Sequence, residues 1–243
     1  DLGQTPGPYV FASSADSELA MLAAAADRAG EDGLRLASLM RLAHNFSVDL
    51  WCEDTLVGAK VIVIRLIGGA GYWPYGCDEI ELLARQKGIA LAVLPADGRD
   101  DPALDAASTL PVSTLRRLKH LCDMGGVVAA QAALQQLALA AGLYAPPVRG
   151  ARVLPQVGGW GGDGLTCPAG FAFTATRPRI LITFYRSYLA AADLGPVRAL
   201  EAGLQARGYD VLALFVPSLK EPMARAWLTR WIGVLGACAV VNA

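Results

Sequence analysis

The chain has 243 residues, enough for one large domain or two small ones, each with its own core. Hydrophobic residues make up 54% of it, charged residues only 18%, and the formal net charge is −1. That balance describes extensive burial and excludes an electrostatic footprint for nucleic acid or an acidic membrane surface.

Five cysteines, Cys52, Cys77, Cys122, Cys167 and Cys238, lie far apart and form no C-x-x-C pair. This argues against a disulfide framework or a zinc site and for a reducing compartment. The N-terminal DLGQTPGPYV has neither the basic nor the apolar region of a signal peptide. WIGVLGACAVV (231–241) is too short to span a bilayer. The expectation is a soluble, cytoplasmic protein with no membrane or nucleic-acid partner. A first residue of Asp rather than Met suggests a piece of something longer.

In chain order, YVFAS (9–13) reads as a strand and Ser17–Arg28 as a helix entered through Ser14 or Asp16. A second helix is expected over Leu34–Ala43 and a third from about Ser47 to Leu56. The strand Lys60–Leu66 then runs into the glycine-rich and aromatic turn LIGGAGYWPYG (66–76). DEIELLARQKG follows, with Asp78 as expected N-cap, Glu81 completing a capping box and Gly88 as the stop. IALAVLP (89–95) is continuously apolar, as a strand buried on both faces should be. Helices over about 112–122 and 126–142 close a first α/β lobe, 1–145. Residues 146–177, including QVGGWGGDG, are rich in glycine and proline and read as an irregular linker.

From 178 to 243 the first pattern returns. RILITFY (179–185) is a strand. GPVRALEAGLQARG (195–208) is a helix with Pro196 in its first turn and Gly208 after its last, and DVLALFVP (210–217) is a strand. A helix over 221–232 and a strand over 237–243 complete the chain. ARQKGIALAVLP (84–95) and LQARGYDVLALFVP (204–217) share one order: a basic helix end, glycine, an apolar strand and proline. Strands alternating with helices of this length imply parallel sheets with right-handed crossovers. The expected fold class is therefore α/β: two doubly wound, mostly parallel (flavodoxin/Rossmann-like) lobes, the second incomplete because its last strand has no covering helix.

The turn after the 60–66 strand is the natural place for a site, since ligands of doubly wound sheets sit at the carboxyl ends of strands. Gly69 and Gly71 supply G-x-G, but Pro74 stands where the dinucleotide fingerprint needs its third glycine, and no P-loop occurs anywhere. Tyr72, Trp73 and Tyr75 either fold back over an apolar edge or form a platform for a flat ligand. Arg65, just before the turn, is a candidate for a bidentate carboxylate contact. Arg186 in FYRSY occupies the equivalent place after the second-lobe strand. His44 and His120 lack ligand-type neighbours at metal spacing and read as satisfied or capping residues. G-x-S-x-G and H-E-x-x-H are absent, so no catalytic or metal-ligating residue is assigned.

KVIVIRLIGGAGYWPYG, GIALAVLPADGRDDPAL with STLP, and RPRILITFYRSYLAAADLGPVRALEAGLQARGYDVLALFVPSLKEP together resemble the large subunit of aerobic cobaltochelatase. SSADSELAMLA and LASLMRLAHNFSVDLW are similar too, and 143–177 is the weakest stretch. The resemblance implies the N-terminal part of a subunit well over a thousand residues long. That subunit would bind hydrogenobyrinic acid a,c-diamide and take Co²⁺ as substrate in cobalamin biosynthesis. ATP and Mg²⁺ would be used by two separate AAA+-type ATPase subunits, not bound by this chain. Partners would be those subunits, the corrinoid (a tetrapyrrole) and the remaining domains of the full-length chain. The alternatives are the related magnesium chelatase large subunit, acting on protoporphyrin IX, or a non-enzymatic binding or scaffold module. The fragment alone is expected to be inactive.

Overall fold

The computed structural model describes residues 2–146, 153–162, 164–174 and 176–243. They fall into two units, Asp1–Val153 and Leu154–Ala243. In the first unit the strands are β1 (Tyr9–Ser13), β2 (Leu34–Ser38), β3 (Val61–Leu66) and β4 (Ala90–Pro95). They form one sheet in the order β2-β1-β3-β4, every pair parallel. The helices of this unit are α1 (Asp16–Ala29), α2 (Asn45–Asp54), α3 (Pro74–Lys87), α4 (Pro102–Ala107), α5 (Val112–Met124) and α6 (Val127–Ala140).

Strand periodicity sorts the core into two layers. Phe11, Val61, Val63 and Leu94 face α1, α5 and α6. Val10, Ile62, Ile64, Leu91 and Val93 face α2, α3 and α4. Every residue of β3 is buried, which is why its sequence is a continuous β-branched run rather than an alternating one.

In the second unit β5 (Gly158–Gly161) and β6 (Gly164–Thr166) form an antiparallel hairpin. It is joined to β7 (Arg179–Tyr185), β8 (Asp210–Val216) and β9 (Ala239–Asn242) in the order β6-β5-β8-β7-β9. The three last strands are parallel, and their order, β8-β7-β9, repeats β2-β1-β3 of the first unit. The helices α7 (Arg186–Ala190) and α8 (Gly195–Gln205) cover one face, and α9 (Pro222–Leu235) covers the other. The repeated order agrees with the duplicated sequence pattern, and the expected α/β class is found, with a parallel sheet in the first unit and a mixed one in the second, where β5 pairs antiparallel with both β6 and β8.

Four differences from expectation stand out. Residues 34–38 are the edge strand β2, not the start of a helix, and only Leu39–Leu42 coil, as a short 3₁₀ turn. LRLASLMRLA consists of good helix formers, but the free edge of β1 offers five parallel pairings from Tyr9↔Leu34 to Ser13↔Ser38, and tertiary pairing prevails over propensity. Helix α3 begins at Pro74, so Asp78 lies inside it rather than capping it. Proline at the first helical position lacks an N–H that would be unpaired there anyway. Gly88 does end the helix, in the left-handed conformation at φ 68°. The short α4 was not foreseen, although Asp101 caps it by accepting from the Ala103 N–H and Pro102 opens it.

The fourth difference concerns 146–177, where two strands lie within the expected linker. Trp160 of β5 packs with Ile182, Phe184 and Phe215 in the core of the second unit. Its neighbouring glycines are required by close approach: a Cβ at Gly158 would sit 2.6 Å from the Phe215 ring, and one at Gly159 2.9 Å from the Thr166 carbonyl oxygen. A composition that reads as a flexible linker is here a packing demand. Residues 147–152, 163 and 175 of that segment lie outside the described residues. Among the described residues no helix is long and apolar enough to cross a membrane.

Candidate functional site

The connection from the carboxyl end of β1 runs to β2 on one side and that from β3 runs to β4 on the other, so the strand order reverses between β1 and β3. In doubly wound sheets this switch point is the usual ligand crevice. Four polar groups of the first unit meet here. The Ser13 hydroxyl, at the end of β1, accepts from the Ala15 N–H at 3.1 Å and donates to Glu18 Oε2 at 2.7 Å. Glu18 Oε1 accepts from Arg65 Nε at 2.9 Å. The same guanidinium donates to the Pro95 carbonyl at 2.6 Å and to Asp123 Oδ1 at 2.8 Å. Lys119 extends the chain of charges, lying 3.3 Å from Asp123 and 3.7 Å from Asp100.

Arg65 is only 4% exposed. Burial pulls its pKa down, but Cys122, Glu18 and Asp123 around it more than offset this, and the guanidinium is held charged above the ordinary arginine value. Its donors are spent inside the protein, on carboxylates of α1 and α5 and on the end of β4. The expected contact from Arg65 to a ligand carboxylate therefore has a rival in place: this side chain ties three elements together. Beside it the Cys122 thiol is pushed up to about 12 by burial.

The aromatic turn separates into three environments. Trp73 is 6% exposed, packs in the core under β3, and donates its indole N–H to the Leu42 carbonyl at 2.8 Å. Gly76 lies against its ring, where a Cβ would come within 2.2 Å. Tyr75 is half-buried, and its hydroxyl donates to Asp49 Oδ1 on α2 at 2.6 Å. That hydrogen bond first, with burial and the charges of Asp49 and Glu79, pushes the phenol up to about 12. Tyr72 alone turns outward: it is 49% exposed and its hydroxyl touches Met40 Sδ at 3.5 Å. Ile67 and Met40, at 48% and 64% exposed, leave further apolar surface around the same strand ends. Of the stacking platform expected from Tyr72, Trp73 and Tyr75, only Tyr72 presents a free ring.

Arg186 stands at the start of α7 as expected, but its Nε and Nη2 each donate at 3.0 Å to the carbonyls of Pro155 and Leu154. Burial lowers its pKa from the ordinary value. It anchors the strand-side segment before β5. His44 behaves as a cap, its Nδ1 accepting from the Phe46 N–H at 3.3 Å. Among the described residues no group of three or more His, Cys, Asp or Glu is placed to hold a metal ion.

Sequence reasoning missed Glu18 and Asp123, the charges that engage Arg65, and Lys119, which pairs with Asp123. One signal was present: Glu18 lies one turn before Met21 and Leu22 and two before Ala25, on the buried stripe of α1. A carboxylate on an apolar helix face needs an internal cation.

No family model matches the chain. Aerobic cobaltochelatase subunit CobN of Pseudomonas aeruginosa is 33% identical over 255 residues, which is 99% of this chain and 20% of that protein. CobN of a Sinorhizobium species is 35% identical over 260 residues, 100% of this chain and 20% of that protein. Among solved structures, the catalytic subunit of cobaltochelatase from Mycobacterium tuberculosis matches with a TM-score of 0.74 at 25% identity, over 98% of this chain and 18% of its own. The chain spans about a fifth of the length of the curated relatives it matches.

Proposed function

We propose that the chain is the N-terminal part of an aerobic cobaltochelatase large subunit, to which it is similar over about a fifth of that subunit's length. The complete protein would bind hydrogenobyrinic acid a,c-diamide and insert Co²⁺ into it in cobalamin biosynthesis. Two AAA+-type partner subunits would hydrolyse ATP with Mg²⁺. The observation that carries this reading is sequence identity of 33% and 35% sustained across both α/β units and the segment between them. The cobaltochelatase names of both relatives and of the solved structure favour cobalt over magnesium.

Within that reading, this chain supplies scaffold and surface. Metal insertion needs groups that accept the pyrrole protons and deliver the metal. The sequence carries no P-loop for ATP, and the Arg65 cluster spends its charges internally. The exposed ring of Tyr72, with Ile67 and Met40, is the surface we assign to contact with the corrinoid or with a further domain of the full-length chain. Arg65, Trp73 and Tyr75 hold the first-unit strand ends behind that surface, and Arg186 holds the segment before β5 in the second unit.

The test is reconstitution. The full-length subunit containing this region, with its two ATPase partners, ATP, Co²⁺ and hydrogenobyrinic acid a,c-diamide, should convert the corrinoid to its cobalt form. The 243-residue chain alone in the same mixture should give no turnover. Insertion of Mg²⁺ into protoporphyrin IX by the full assembly, or chelation by the isolated chain, would overturn the proposal.

A further inference from the structure

In the second unit the β5–β6 hairpin segment and α9 line a groove of about 360 Å³. Trp227 and Trp231 of α9 form one side, and Gly158, Gly159 and Cys167 contribute to the other. Neither glycine accepts a side chain, since a Cβ would strike the Phe215 ring at Gly158 and the Thr166 carbonyl at Gly159. On the β5 side the groove is therefore lined by bare backbone, facing two aromatic side chains.

The two indoles lie 6.3 Å apart, centroid to centroid, with their planes at 59°. A flat ring laid parallel to one of them meets the other at that steep angle, and aromatic pairs favour both arrangements. An aliphatic chain would gain burial there but no such directional contact. Volume sets the size. A groove of 360 Å³ is at the small end of ligand clefts and suits two fused rings rather than a macrocycle.

Charge sets the substituent. Arg230 is exposed, and its Cζ lies 5.9 Å from the centre of the Trp231 ring. Among the described residues its guanidinium has no carboxylate or carbonyl partner, and the indole N–H groups of Trp227 and Trp231 have no acceptor. A cation beside an apolar wall attracts an anion more strongly than one in open water, because the wall screens less. Its planar fork can donate two parallel hydrogen bonds to a carboxylate, whereas an amine would be repelled. We propose that this groove binds a small planar aromatic carboxylate, its ring against Trp227 and Trp231 and its carboxylate on Arg230.

The probe is 2-naphthoate, titrated into the 243-residue protein at constant ionic strength and followed by amide chemical shifts. Saturable shifts are expected at residues 157–162 and 164–168 and along α9. Saturation should also slow thiol modification of Cys167, which lines the groove, and leave the exposed Cys238 unaffected. Arg230→Gln should weaken binding by about tenfold, the worth of one hydrogen bond to a charged group, with an unchanged circular dichroism spectrum. Two comparison compounds separate the charge from the ring. The neutral 2-naphthamide and the non-planar cyclohexanecarboxylate should each bind more weakly than 2-naphthoate. Absence of saturable shifts, equal binding by Arg230→Gln, or equal binding of either comparison compound would overturn the proposal. So would displacement of 2-naphthoate by lower concentrations of hydrogenobyrinic acid a,c-diamide, which would make the groove a tetrapyrrole contact instead.

Discussion

Tyr72 and Trp73 are adjacent in sequence, yet one ring is half in solvent and the other closes the core. Their substitutions should separate accordingly. Trp73→Ala removes a buried ring and its hydrogen bond to Leu42, and should cost about 3–5 kcal/mol in denaturant unfolding. Tyr72→Ala should change unfolding by no more than about 0.5 kcal/mol, while weakening corrinoid affinity or assembly of the full-length subunit. Arg65→Ala leaves Glu18 buried without its partner and should cost about 3–5 kcal/mol as well. Tyr75 gives a pH signature. Its phenol is raised to about 12 from an ordinary 10.0, so the protonated form is the one the fold stabilises. That contribution is whole below pH 10 and is lost as pH rises through about 12. Ultraviolet titration should lose one late-titrating tyrosine in Tyr75→Phe. The thiols divide too: burial pushes Cys52 and Cys122 up to about 12 and Cys77 up to about 11, whereas Cys167 and Cys238 are exposed. A thiol reagent at pH 8 should modify Cys167 and Cys238 quickly and the other three only on unfolding.

At the scale of elements, the strands most legible in the sequence were those buried on both faces. β1 and β7 have the boundaries their apolar runs suggest, and β4 and β8 differ by one residue, because a continuous run of β-branched and aliphatic residues fits little else. Edge elements were harder. β2 is only partly buried and its residues favour a helix, so its identity rests on the neighbour it pairs with. β5 owes its place to absent side chains, which no periodicity reveals. Gly158→Val should therefore displace the Phe215 ring and destabilise the second unit by about 1–3 kcal/mol, measured by the loss of its unfolding transition midpoint. If the β5–β6 hairpin were dispensable padding, that substitution would be silent.

At the scale of the molecule, the two units meet in sequence at Val153 and Leu154, inside the segment 146–177 that composition marks as a linker. A chain beginning at 154 keeps Trp160 and the carbonyls that Arg186 holds, whereas one beginning at 178 loses them. The longer piece should melt cooperatively and the shorter should not, as read by near-ultraviolet circular dichroism.

The sequence by itself determined the α/β class, the duplicated strand pattern, most of the helices and the resemblance to cobaltochelatase large subunits, since each is written in local periodicity or in residues quoted one after another. Tertiary structure alone decided which aromatic of YWPYG faces water, what engages Arg65, and that β5 and β6 join a sheet. Those outcomes depend on groups far apart in the chain: Glu18 lies 47 residues from Arg65, Asp123 lies 58 from it, and Leu42 lies 31 from Trp73. Burial and charge pairing at such separations are fixed by the packing of elements against one another, and only the folded chain brings those groups within hydrogen-bonding distance.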